Sequence, residues 1–99
     1  MAKGYWIAHV QVNDPELYKE YVRLNGIAFA KYGAKFLVRG GGDNVSTPSG
    51  SLKPRHVVIE FDSLEKAKAC YASPEYQEAV KVRDRASVAD LVIVEGYAG

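Results

Sequence analysis

Apolar residues along this chain fall into periodic segments, and the order of their periods constrains the fold more than composition does. From Gly4 to Val12 the period is two, with Trp6, Ala8, Val10 and Val12 set against Tyr5, Ile7, His9 and Gln11. Alternation built from β-branched and aromatic residues marks a strand. Asn13-Asp14-Pro15-Glu16 then starts a helix. Asp14 has the side chain to cap it, Pro15 suits its first position, and Glu16 favours the positive end of its dipole. Tyr18, Tyr21, Val22, Asn25, Ala28, Phe29 and Tyr32 recur at helical spacing until Gly33 ends the run. Lys35–Arg39 and Arg55–Phe61 read as two further strands. Between them, Gly40 to Pro54 is a loop rich in Gly, Ser and Pro, long enough to be functional or mobile. Asp62-Ser63 opens a second helix, and Ser73-Pro74-Glu75 breaks it and caps another, because the residue before proline avoids helical geometry. Asp90 to Gly96 is the last strand.

The order β-α-β-β-α-β predicts an α+β fold of the ferredoxin-like kind: a four-stranded antiparallel sheet with its helices on one face. Right-handed crossovers give the strand order 4-1-3-2. At 99 residues one domain over 1-99 is expected. Alternation assigns Trp6, Ala8, Val10, Phe36, Val38, Val57, Ile59, Phe61, Val92 and Val94 to the face under the helices. The opposite set holds Tyr5, Ile7, His9, Leu37, Arg39, His56, Val58, Glu60, Leu91, Ile93 and Glu95. That second set is too apolar for open water and implies an interface. A homodimer closing through two sheet faces is the expected partner arrangement.

Composition narrows the setting. Net charge is +1, with 13 Lys and Arg against 12 Asp and Glu, so no electrostatic footprint points to nucleic acid. No apolar run reaches the roughly 20 residues of a membrane span. The first ten residues lack a secretory pattern, so a cytoplasmic location is expected. The single cysteine, Cys70, forms no internal disulfide and reads as a small core residue; no Cys/His cluster has metal spacing. No metal and no cofactor are expected.

Two groups of residues are candidates for chemistry. The first is a pocket between helices and sheet, with Trp6, Tyr18 and Tyr21 as walls and Asn25 and Arg83 as polar groups. Asn25 interrupts an apolar helical stripe; it is either a boundary amide bonded to backbone or water, or a ligand contact. Arg83 lies on one helical side with Tyr76 and Val80. It either lays its stem over apolar surface with its head in water, or clamps a carboxylate at the pocket mouth. The second group is His9, Arg39, His56 and Glu60 on the opposite sheet face. Histidine beside a carboxylate suits general acid–base work, and equally a structural hydrogen-bond cluster. Arg39 precedes three glycines, Gly40 to Gly42, a flexible hairpin loop rather than a phosphate loop leading into a helix.

Six blocks carry a family resemblance: Gly4-Tyr5-Trp6-Ile7-Ala8; Asp14-Pro15-Glu16 with Tyr18 and Tyr21; Phe36-Leu37-Val38-Arg39-Gly40-Gly41; Val57-Val58-Ile59-Glu60-Phe61; Ser73-Pro74-Glu75-Tyr76-Gln77; and Leu91-Val92-Ile93-Val94-Glu95-Gly96. Together they resemble the bacterial "domain of unknown function thirteen-thirty" family of the dimeric α+β barrel superfamily. The likeness covers nearly the whole chain. It departs at Ala34, where a second glycine is common, and over Asn44 to Leu52. The resemblance implies a ferredoxin-like protomer and a barrel made from two sheets, and brings no established activity. The functional expectation is a small dimeric protein binding a small aromatic or acidic molecule in a helix–sheet pocket. The alternatives are a non-enzymatic regulatory or stress-related dimer and, by fold analogy, a cofactor-free monooxygenase or isomerase.

Overall fold

A computed structural model describes residues 2–97. The elements in chain order are β1 (Gly4–Val12), α1 (Pro15–Tyr32), β2 (Lys35–Gly40), β3 (Arg55–Phe61), α2 (Leu64–Ala72), α3 (Pro74–Ala86) and β4 (Ser87–Glu95). The sheet order is β2-β3-β1-β4 with every pairing antiparallel, which is the ferredoxin-like arrangement. Among the described residues no helix is long and apolar enough to cross a membrane.

The punctuation of the sequence sets these limits. The Asp14 carboxylate accepts from the Leu17 backbone N–H at 3.1 Å, and Gly33, at φ 67°, closes α1 in the left-handed region. Ser73 serves two helices. Its hydroxyl donates to the Cys70 carbonyl at 2.6 Å and accepts from the Tyr76 N–H at 3.2 Å, so α2 ends and α3 begins at one buried residue.

The core lies between the helices and one sheet face, around Trp6, Phe29, Phe61, Cys70 and Tyr76. The Trp6 indole donates to the Ala67 carbonyl at 2.9 Å, which satisfies its polar atom within the core. Burial pushes the Cys70 thiol up to about 12, as expected of a core residue with no chemical duty.

Face assignments hold for β1 and β3 and change for the edge strands. Trp6 pairs with Ile93 and Ala8 with Leu91, so Leu91 and Ile93 face the helices while Val92 and Val94 face away. All four residues are apolar, so alternation carries no phase there, and the register with β1 decides it. In β2 an irregularity between Phe36 and Val38 adds one residue. Phe36 still pairs with Ile59 on the helix side, but Val38 pairs with Val58 on the open side and Arg39 pairs with Val57 on the helix side. β4 also begins at Ser87 rather than Asp90, because the Ser87 hydroxyl closes α3 on the Arg83 carbonyl at 2.8 Å and Ser87 pairs at once with Val12. Within the loop after β2, Gly42–Asn44 forms one short 3-10 turn.

Gly4 marks where β1 meets the start of α2. A Cβ there would lie 2.4 Å from the Ser63 backbone carbonyl oxygen, which has no side-chain freedom to retreat. Gly4→Ala is expected to cost about 1–3 kcal/mol, read as a lower urea midpoint with an unchanged slope. An unchanged midpoint would show that this contact does not constrain the fold.

Candidate functional site

Along the inward side of β1, side-chain size falls from Trp6 to Ala8 and Val10, and α1 passes over this taper. The gap left is a cavity of about 40 Å³. α1 contributes Tyr18, Tyr21, Val22, Asn25 and Phe29. The sheet contributes Trp6, Ala8 and Val10 from β1, Phe36 and Arg39 from β2, Arg55, Val57 and Ile59 from β3, and Leu91 from β4. The register orders the sheet side of the cavity in rows: Val10 with Arg55, whose guanidinium stands over Tyr18, at one end, then Ala8 with Val57 and Arg39, then Trp6 with Ile59 and Phe36 at the other.

The electrostatics are one-sided. Among the described residues two arginines border the cavity, and neither a carboxylate nor a histidine does. The Nε of Arg55 is buried and has no hydrogen-bond partner among the described residues. The Arg55 guanidinium carbon stands 5.7 Å from the Tyr18 ring centroid, and that of Arg39 4.8 Å from the Phe36 ring. Burial raises the Tyr18 phenol above its ordinary range; Tyr21 adds to this, and Arg55 and Arg39 oppose it. Asn25 is buried, lines the cavity, and makes no side-chain hydrogen bond among the described residues.

Four of the five residues expected at this site, Trp6, Tyr18, Tyr21 and Asn25, therefore border one cavity. Arg83 does not. Its guanidinium turns to the other side of the core, donating to the Tyr76 hydroxyl at 3.3 Å and to the Tyr71 hydroxyl at 3.4 Å. The cause is its helical offset: Arg83 follows Tyr76 by two turns on the same side of α3, which brings its guanidinium to the Tyr76 hydroxyl, where Tyr71 and Asp84 also hold it. Burial lowers the Arg83 pKa, but its bonds to Tyr71 and Tyr76 outweigh burial, so the group stays charged.

The positive charge comes instead from Arg39 and Arg55. Arg39 was expected beside His9, and the extra residue in β2 places it on the opposite side of the sheet. Arg55 was missed, although the signal was legible. It shares the parity of Val57, Ile59 and Phe61, so it is a charged residue on an otherwise apolar face.

Of the second group, only the histidines meet. His9 and His56 pair across β1 and β3 with their Nδ1 atoms 2.8 Å apart, so one donates and the other accepts. Glu60 pairs with Tyr5, four residues along β3 from His56 and thus about 13 Å away. It accepts from the Tyr5 hydroxyl at 3.1 Å. The register separates Glu60 from the imidazoles; the carboxylate in register with His9 is Asp90 on β4, which pairs with Lys53 and makes no bond to either histidine among the described residues. Among the described residues no three metal-ligating side chains converge.

The family model described as "Domain of unknown function (DUF1330)" matches residues 3–97. The chain belongs to that family. No curated protein matches it. Among solved structures it is similar to a protein of unknown function from Rhodopseudomonas palustris, at 20% identity and a TM-score of 0.72 over 99% of this chain and 85% of the other. It is also similar to SnoaB, a cofactor-independent oxygenase from Streptomyces nogalater, at 10% identity and a TM-score of 0.66 over 100% and 97%. A dimeric ferredoxin-like protein of unknown function from Thermobifida fusca matches at 17% identity and a TM-score of 0.61 over 95% and 89%. At these identities the likeness is one of fold.

The unpaired Arg55 Nε carries a stability cost. An unsatisfied buried donor costs about 1–3 kcal/mol, and the contact with Tyr18 returns about 0.5–1 kcal/mol. Arg55→Met is therefore expected to raise unfolding stability by about 1 kcal/mol in the absence of ligand. A clear fall in the thermal midpoint would mean that Arg55 is satisfied within the protein.

Proposed function

We propose that this protein binds a small carboxylic acid with an apolar or aromatic body in the cavity between α1 and the sheet. The observation that carries this reading is a buried guanidinium nitrogen with no hydrogen-bond partner among the described residues, in a cavity lined mostly by apolar and aromatic side chains and bordered by a second guanidinium. A buried N–H donor without a partner is unfavourable, and a carboxylate in contact with the guanidinium is its natural complement. The aromatic walls suit the body of such a ligand, and Asn25 supplies a free polar contact. A cavity of about 40 Å³ is far smaller than the roughly 300–1,000 Å³ of ordinary small-molecule pockets. Entry of an acid therefore requires the mouth to widen, and the exposed Arg39 is the side chain placed to swing out.

Binding is a better reading than the cofactor-free monooxygenase or isomerase that fold analogy brings in. None of the lining side chains is a carboxylate, histidine or thiol that would serve as an ordinary general base. Isothermal titration with benzoate and with 4-methylpentanoate is expected to show saturable binding that weakens at least tenfold in Arg55→Met and in Arg39→Met. Absence of binding to the native protein, or equal binding in both variants, would reject the site.

The assembly belongs to the same proposal. The open sheet face presents Ile7, Val58, Val92 and Val94, with Val92 and Val94 respectively 53% and 42% exposed, and a structural neighbour is described as dimeric. A second copy of this chain is the occupant that such a face fits. Light scattering at micromolar concentration is expected to give twice the 10.9 kDa chain mass, and Ile7→Asp the mass of one chain. One chain mass for the native protein would reject the dimer.

A further inference from the structure

Behind the cavity wall runs a hydrogen-bond chain with a charged donor, Arg83, at one end. Arg83 can only donate, and its Nη1 lies 3.3 Å from the Tyr76 hydroxyl. Tyr76 is fully buried, and its hydroxyl is 2.7 Å from that of Tyr21. The Tyr76 oxygen thus accepts from Arg83, and its own hydrogen has one acceptor within reach among the described residues, the Tyr21 oxygen. Tyr21 then accepts, and its hydrogen is left over. Tyr21 is itself buried and borders the cavity. A buried hydroxyl hydrogen without an acceptor is costly, and the void beside Tyr21 is where an acceptor fits.

We infer that Arg83, acting through Tyr76, orients Tyr21 as a hydrogen-bond donor into the cavity, so that the preferred ligand is an oxo acid. This rests on the carboxylate reading above and deepens it. The arginines take the carboxylate at the mouth, and Tyr21, one helical turn further along α1 than Tyr18, takes a carbonyl oxygen on the ligand body. Arg83 and Tyr76 are positioning residues, since neither borders the cavity. Without the guanidinium, the Tyr76 oxygen is free to accept from Tyr21, the chain reverses, and the donor is withdrawn from the ligand.

The test compares two acids of nearly equal shape, 4-oxopentanoate and 4-methylpentanoate, which differ by a carbonyl oxygen in place of a methyl group. The native protein is expected to prefer the oxo acid about tenfold, the worth of one hydrogen bond to a buried donor. Tyr21→Phe should bind the two alike. Arg83→Met should lose most of the preference while still binding 4-methylpentanoate, and Arg83→Lys, which keeps a charged donor, should retain it. If Arg83→Met does not fold, Tyr76→Phe removes the same orienting hydrogen and should also lose the preference. Equal binding of both acids by the native protein would overturn the inference and leave the carboxylate site standing. A preference surviving in Tyr21→Phe or Arg83→Met, or an equal weakening of both acids in Arg83→Met, would also overturn it. Failure of either acid to bind the native protein would overturn the site itself, and this inference with it.

Discussion

Trp6 holds the layers of this protein together. It sits on a central strand, and its ring meets one aromatic side chain from each of four other elements. Ring centroids lie 5.3 Å from Phe29 on α1 and from Phe61 on β3, 5.6 Å from Tyr71 on α2, and 4.8 Å from Tyr76 on α3. Three of these contacts are edge-on, the geometry the ring quadrupole favours, and such pairs contribute about 0.5–1.5 kcal/mol each beyond burial. The indole N–H is spent on α2. One side chain thus sets how far all three helices stand from the sheet. The cavity begins where that spacer ends, because Ala8 and Val10 are too short to fill the gap that Trp6 defines.

The character of the cavity is then decided at the edge of the sheet. One additional residue in β2 reverses the phase of everything after Phe36. Without it, Val38 would continue the apolar lining and Arg39 would point to the open face. With it, Arg39 comes to border the same cavity as Arg55. Irregularities of this kind commonly re-aim a side chain near a site, at the cost of a disrupted ladder. An edge strand is where such a change is tolerated, because only one neighbour has to accommodate it.

Much of the fold is legible in the sequence because its signals are local. Asp14-Pro15, Gly33, Asp62-Ser63 and Ser73-Pro74 each end or begin an element through groups within a few residues, and their positions survive in three dimensions. The two inner strands, β1 and β3, are legible because each alternates against a contrasting set. The edge strands are not. In β4 both faces are apolar, and in β2 the phase changes at a residue, Leu37, that carries no turn chemistry. The site inherits this division. Trp6, Tyr18, Tyr21 and Asn25 sit on elements whose phase is clear, and they converge. Arg39 sits beyond the phase change, and Arg83 is claimed by Tyr71 and Tyr76, a tertiary contact that helical spacing alone does not reveal. Glu60 was grouped with the histidines because parity gives a face but no distance along a strand.

The single-layer sheet also determines how the two proposed interactions relate. Alternate residues of β1 serve opposite sides: Trp6, Ala8 and Val10 face α1, and Tyr5, Ile7 and His9 face away. A ligand in the cavity and a second copy on the open face would therefore touch the same strand without sharing a side chain. Any coupling between them must pass through the backbone register, and β1 is paired on both edges, with β3 from Gly4 to Val10 and with β4 from Gly4 to Val12. A one-residue slip would exchange the two faces outright, so the register is not a soft coordinate. What remains adjustable is β2, an edge strand held by β3 alone and already irregular, which carries Arg39 on one side and Val38 on the other. If ligand and assembly influence one another in this protein, physics places the link in β2 rather than in the strand that carries most of both surfaces.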